Sequence, residues 1–132
     1  MSDGDRVRNA LLLYGLEDIL QVWWIAGTVH KLTGIPRETP ELVGPTVEAI
    51  RDLLDSGYAV FGDAVLDEKG MVILEPWNAT PDEVAARVKK EWGELDEPLN
   101  IGHIGWLELT DKGREEARRL DAAGCDPFVE AP

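Results

Sequence analysis

Cysteine appears once in this chain, at Cys125, and histidine only twice, at His30 and His103. A single thiol excludes an internal disulfide and leaves little basis for a cysteine-ligated metal. No His-Glu-x-x-His motif, phosphate-binding loop, Gly-x-Ser-x-Gly elbow or dinucleotide fingerprint is present, so none of the chemistries those patterns serve is indicated. Apolar runs fall far short of the ~18–20 residues needed to cross a bilayer. The opening Met-Ser-Asp-Gly-Asp has neither the basic start nor the apolar stretch of a secretory signal. These absences lead to the expectation of a cytoplasmic chain with no membrane association, metal, cofactor or enzymatic role.

Positive charge is the other shortage. Against 26 Asp and Glu the chain sets 13 Lys and Arg, for a net charge of −13. Affinity for nucleic acid comes largely from cations that displace counterions from phosphates, so an acidic chain must gather the few it has. Here Arg6, Arg8, Lys31, Arg37, Arg51, Lys69, Arg87 and Lys112 are dispersed, and only Lys89-Lys90 and Arg118-Arg119 are adjacent. Nucleic acid is therefore a disfavoured partner. The acidity serves either solubility or the choice of a basic partner.

What the chain does have is apolar mass: 44% hydrophobic residues and five tryptophans. Its length suits one domain, expected over residues 1–125, with 126–132 as a loose C-terminal tail. Residues 5–14 read as a short helix ending at Gly15. Asp18 is placed to cap a second helix over 19–32, where Ile19, Val22, Trp23, Ala26 and Val29 recur at helical spacing. A short turn at 40–43 precedes a helix from Pro45 to Ser56, with Gly57 after its end and Val47, Ile50, Leu53 and Leu54 as its apolar stripe. Strands are expected at 58–61 and 71–74 around the turn at 67–70, and a third at 104–109. Thr80-Pro81-Asp82-Glu83 is a capping box that opens a helix to about Leu95, and Thr110 caps a last helix over 111–123.

This order gives an α+β fold: a winged-helix core of about five helices and a three-stranded antiparallel wing, with one helix inserted in the wing region. Residues 46–60 (Thr-Val-Glu-Ala-Ile-Arg-Asp-Leu-Leu-Asp-Ser-Gly-Tyr-Ala-Val) and 106–117 (Trp-Leu-Glu-Leu-Thr-Asp-Lys-Gly-Arg-Glu-Glu-Ala) carry a resemblance. The first is similar to the third helix, glycine and wing entry of MarR-like and PadR-like bacterial regulators. The second is similar to the strand, threonine cap and Gly-Arg helix start that follow their wing. The resemblance implies a winged helix-turn-helix fold and, in those regulators, a third helix that reads the DNA major groove.

The residues of that helix oppose such a role. Glu48, Asp52 and Asp55 fall at i, i+4 and i+7, which sets three carboxylates on the face away from the apolar stripe. Arg51 is its one cation and stands within reach of Glu48 and Asp55. Winged helices also serve as protein–protein modules, and the expected function is a non-enzymatic module that binds a protein or a second copy of itself. The alternatives are a DNA-binding regulator that uses its wing or the N-terminal Arg6 and Arg8, and a DNA mimic whose carboxylates occupy a basic partner.

Tryptophans complete the expected recognition surface. Trp23 and Trp92 fit core positions. Trp24 points about 100° away from Trp23 and so suits a groove or subunit interface. Trp77 on its loop reads as a lid, and Trp106 shares a strand face with Glu108. The candidate partner-binding residues are thus Glu48, Asp52, Asp55, Trp24, Trp77 and Trp106. His30 reads as a satisfied boundary side chain, and His103, in Gly-His-Ile-Gly, as an imidazole without an identifiable nucleophile or orienting acid.

Overall fold

Ser2 starts the first helix by accepting the Asp5 N–H at 3.1 Å, and Asp3 and Asp5 place negative charge at its positive end. This computed structural model describes residues 2–129; of the expected tail, 130–132 lie outside them. Five helices and four antiparallel strands follow in the order α1 (Asp3–Gly15), β1 (Leu20–Gln21), α2 (Val22–Thr33), a 3-10 turn (Pro40–Leu42), α3 (Val43–Asp55), β2 (Ala59–Leu66), β3 (Val72–Pro76), α4 (Pro81–Gly93), β4 (Trp106–Leu109) and α5 (Asp111–Ala122). The sheet order is β1-β4-β2-β3. Helices α1 to α3 with β1, β4 and β2 form a winged-helix-like arrangement.

Three local expectations need correction. Residues 19–21 are not helical: Asp18 accepts the Ile19 N–H at 2.9 Å, and Leu20 and Gln21 pair with Leu107 and Trp106. Helical spacing at Ile19 loses there to a tertiary ladder that buries Leu20 against Leu107. Pro45 does not delay the third helix. It sits in the first turn of α3, where its missing N–H is one of the donors without an intrahelical partner in any case. The sheet has four strands rather than three, because the short β1 joins it by pairing with β4, while β3 pairs with the far half of a long β2 and β4 with its near half.

Gly62 marks the changeover, with Pro76 opposite it on one side and Trp106 on the other. A Cβ at Gly62 would lie 2.0 Å from the Glu75 carbonyl oxygen, so only glycine fits. The β2–β3 hairpin turns through Asp67, whose Oδ1 accepts the Lys69 and Met71 N–H groups at 2.8 and 2.9 Å. Gly70 completes the turn at φ 78°.

The core lies between the helices and the near half of the sheet. Leu11 and Leu12 of α1, Ile25 and Val29 of α2, Ile50 and Leu53 of α3 and Leu107 and Leu109 of β4 are buried together. The inserted helix α4 opens with the expected capping box, Thr80 and Glu83 bonding each other's backbone N–H. It packs along α3 and buries Val84, Ala85 and Val88. Helix α5 starts at the Thr110 cap and needs Gly113: a Cβ there would stand 2.0 Å from the Tyr58 carbonyl oxygen. The described part of the expected tail is docked rather than loose. Arg6 Nε donates to the Pro127 carbonyl at 2.9 Å, and the Phe128 ring lies 6.0 Å from that of Tyr14 and beneath Lys31 Nζ.

Candidate functional site

Glu48, Asp52 and Asp55 are all exposed on α3, as their spacing predicts. They do not form an open, uniformly negative face. Glu48 lies 3.6 Å from Arg51, and Asp52 lies 3.9 Å from Arg8 of α1. One flank of α3 is covered by α4, whose first turn brings Asp82 to Arg51. The hydrogen bond to Asp82 foremost, then the charges of Asp82 and Glu48, raise the Arg51 pKa above its ordinary value. The other flank borders a cleft of about 600 Å³ that Glu48 and Asp52 share with the start of α1, including Asp3, Asp5 and Arg8.

Most of the remaining cations are also held locally. Arg87 pairs with Glu91, Lys90 with Glu94, Arg114 with Asp111, and Arg119 with Glu116. Lys112 Nζ donates to the Ser56 carbonyl at 2.7 Å and lies over the Tyr58 ring. Among the described residues no ion pair is found for Arg37, Lys69, Lys89 or Arg118, which stand on four different segments. The dispersal read from the sequence therefore persists in space, and most cations are neutralised by side chains three or four residues away or by a neighbouring helix.

The tryptophans divide between packing and exposure. Trp77 lies over Phe61 with ring centroids 4.8 Å apart, and the Arg87 guanidinium covers it at 3.6 Å. It is a lid, and its Nε1 is buried without a hydrogen-bond partner among the described residues. Trp106 is half-buried in β4 opposite Gly62. Trp24 remains 42% exposed while its ring meets Tyr14 edge-on at 5.4 Å. Trp23 and Trp92, expected in the core, are half-buried instead and wall a cleft of about 670 Å³ with Leu42 and Leu99, rimmed by Arg37 and Lys89. Helical spacing placed them on inward faces correctly, but the 34–42 and 94–99 segments do not close over them.

The largest exposed apolar group was not singled out from the sequence. Leu66, Met71, Val72 and Ile73, around the end of the β2–β3 hairpin, are 69, 63, 58 and 46% exposed. Strand β3 is the outer edge of the sheet. The signal was present in the run Met71-Val72-Ile73-Leu74, which lacks the alternation of a half-exposed strand. Continuous apolar strands belong to sheets covered on both faces, whereas β3 is covered on neither.

Both histidines hold loops. His30 Nδ1 is 2.6 Å from the Ile35 carbonyl oxygen. His103 Nδ1 accepts the Asn100 N–H at 2.9 Å, and its Nε2 lies 3.1 Å from Glu97. Among the described residues no three His, Cys, Asp or Glu side chains are grouped to hold a metal ion, and no helix is long and apolar enough to cross a membrane. Comparison with protein-family models, curated proteins and solved structures gives no match for this chain.

Proposed function

We propose that this chain is a non-enzymatic, acidic winged-helix module that acts by binding protein, a divergent counterpart of the MarR-like and PadR-like regulators that two of its segments resemble. The observation that carries this reading is the packing of α4 along α3, with Arg51 held between Glu48 and Asp82. A groove-reading helix must offer one long face to DNA and bring cations to the phosphates on either side. Here one flank of that helix is occupied by another helix, and its single cation is bound to two carboxylates. The exposed apolar hairpin and Trp24 supply surfaces suited to a protein partner.

A mobility-shift titration with mixed genomic DNA, repeated across salt concentrations, tests the reading. The expected result is no retarded complex at protein concentrations up to about 10 µM near physiological salt, tighter than the weakest non-specific binders. A complex below that concentration, with affinity falling steeply as salt rises, would overturn it in favour of a DNA-binding regulator.

A second reading has one observation in its favour. Glu48 and Asp52 of α3 and Asp3 and Asp5 at the start of α1 border the same cleft, which supports a DNA mimic acting on a basic protein. Charge reversal at Glu48, Asp52 and Asp55 would then abolish capture of that partner; retention of the partner by the triple variant removes this second reading.

A further inference from the structure

The β2–β3 register fixes which backbone groups of β3 face outward. Asp67 N–H donates to the Met71 carbonyl at 2.8 Å, and Trp77 N–H donates to the Phe61 carbonyl at 3.1 Å. Both belong to the same ladder as the pairs Val65↔Ile73 and Asp63↔Glu75. In an antiparallel ladder, hydrogen-bonded and non-hydrogen-bonded pairs alternate. Met71, Ile73, Glu75 and Trp77 therefore turn their N–H and C=O groups toward β2. Val72 and Leu74 turn theirs to the open edge, and Pro76, which has no N–H to offer, completes the outward set.

This edge lacks most of the devices that keep sheet edges apart. Among the described residues no further strand pairs with it, and Glu75 is the one charged residue within β3, with Asp67, Glu68 and Lys69 in the adjoining turn. We propose that the free edge of β3 is a strand-addition site, and that its occupant is a second copy of this chain, paired antiparallel about a two-fold axis at Ile73. The proposal rests on the protein-binding reading above and names its partner.

Self-complementarity is what selects a second copy. A two-fold at Ile73 sets Val72 of each copy opposite Leu74 of the other, so the outward-facing groups meet one another in four N–H···O=C bonds. Ile73 meets Ile73 in the close, non-hydrogen-bonded pair, where β-branched side chains interact best. Glu75 falls opposite Met71, the first residue after the turn, and so meets an apolar side chain rather than another carboxylate. No carboxylate faces a carboxylate across the new ladder. The exposed run Met71-Val72-Ile73 becomes the middle of a continuous sheet, the setting its unbroken apolar sequence suits. The two copies carry the same net charge, so their long-range repulsion weakens as salt screens it.

The test combines solution mass with residue-resolved amide exchange on the full chain. Sedimentation or light scattering across a concentration series is expected to show a monomer–dimer equilibrium that shifts toward dimer as salt rises from 0.05 to 0.5 M, a range chosen on the order of the screening change. The Val72 and Leu74 amides are expected to gain protection in step with dimer, while those of Ile73 and Glu75 are protected in monomer and dimer alike. Val72→Lys, which sets two lysines near the axis, is expected to weaken the dimer about tenfold or more. Leu74→Pro removes an outward N–H that β2 does not use, and is expected to do the same while the far-ultraviolet spectrum is retained. A monomer at all concentrations overturns the proposal, as does a dimer that survives both substitutions or protects Ala64 and Leu66 instead. None of these outcomes touches the DNA titration, so the protein-binding reading stands or falls separately.

Discussion

Arg51 of α3 and Asp82 of α4 meet at 2.5 Å between Nε and Oδ1. The bond joins two helices that are 31 positions apart at these residues, and it ends in a surface position open to solvent. Asp82→Asn is expected to lower the unfolding temperature only slightly, because exposed ion pairs contribute little and are screened. The difference from the parent should vanish in about 1 M salt, where the screening length is about 3 Å. Thermal unfolding at low and high salt measures it, and a large, salt-insensitive loss would mean that α4 is positioned chiefly by this contact.

Val88 is the deeper attachment of the same helix, with no exposed surface. Val88→Ala is expected to cost about 2 kcal/mol in urea unfolding, from lost burial and the void left behind. The denaturant slope should be unchanged if α4 unfolds together with the rest of the domain. A second transition, or a reduced slope, would show that α4 detaches on its own.

Gly113 tests the meeting of α5 with the strand entry. The Cβ of an alanine would collide with backbone at Tyr58, which cannot swing aside as a side chain can. Gly113→Ala is expected to destabilise by about 3 kcal/mol or more, whereas Gly93→Ala, in α4 with nothing within 4 Å of the added carbon, is expected to be neutral or to stabilise by up to about 1 kcal/mol. Parallel melting curves of the two variants make the comparison.

Acid sensitivity follows from carboxylates that are hydrogen-bonded at helix starts and to arginine. The Thr80 backbone N–H, and then its hydroxyl, hold the Glu83 pKa below its ordinary 4.5. Ser2 lowers Asp5, its side-chain hydrogen bond first, and the hydrogen bond from Arg119 lowers Glu116. A group depressed in the folded state contributes stability that is fully present above its unfolded value and is lost as pH falls through the folded one. The unfolding temperature is therefore expected to be flat from neutrality down to about pH 5 and to decline below about pH 4.5. Glu83→Gln keeps the cap without a titrating group and should flatten part of that decline. An identical decline in both proteins would count against the assignment.

Helix starts, stops and periods were legible in the sequence because they are local. Thr80 and Pro81 at the opening of α4, Thr110 at that of α5, and glycine after α3 fixed those elements to within a residue or two. Residues 19–21 were misread because their extended conformation depends on Leu107, far along the chain, and no local pattern reports such a pairing. The carboxylates of α3 were found by spacing alone. What could not be read was their neighbourhood, since the contact of Arg51 with Asp82 and of Asp52 with Arg8 is a product of packing. Trp23 and Trp92 show the limit of periodicity: it says which way a side chain points, but not whether another segment arrives to cover it. The bare hairpin was legible in principle, in four apolar residues without alternation, yet a buried strand and an unpartnered one share that pattern.

Gly62 touches Pro76 on one side and Trp106 on the other, so the backbone departs from the sheet and rejoins it at the same rung, roughly 10 Å away. Everything between is a detour whose endpoints are pinned by a residue outside it. Its length and content can drift, or be swapped wholesale, while the ladder on either side keeps step. Excising it would strip α4 from the flank of the third helix beside Val47 and hand that flank back to solvent, without disturbing a single rung of the β2–β4 ladder that Gly62 anchors.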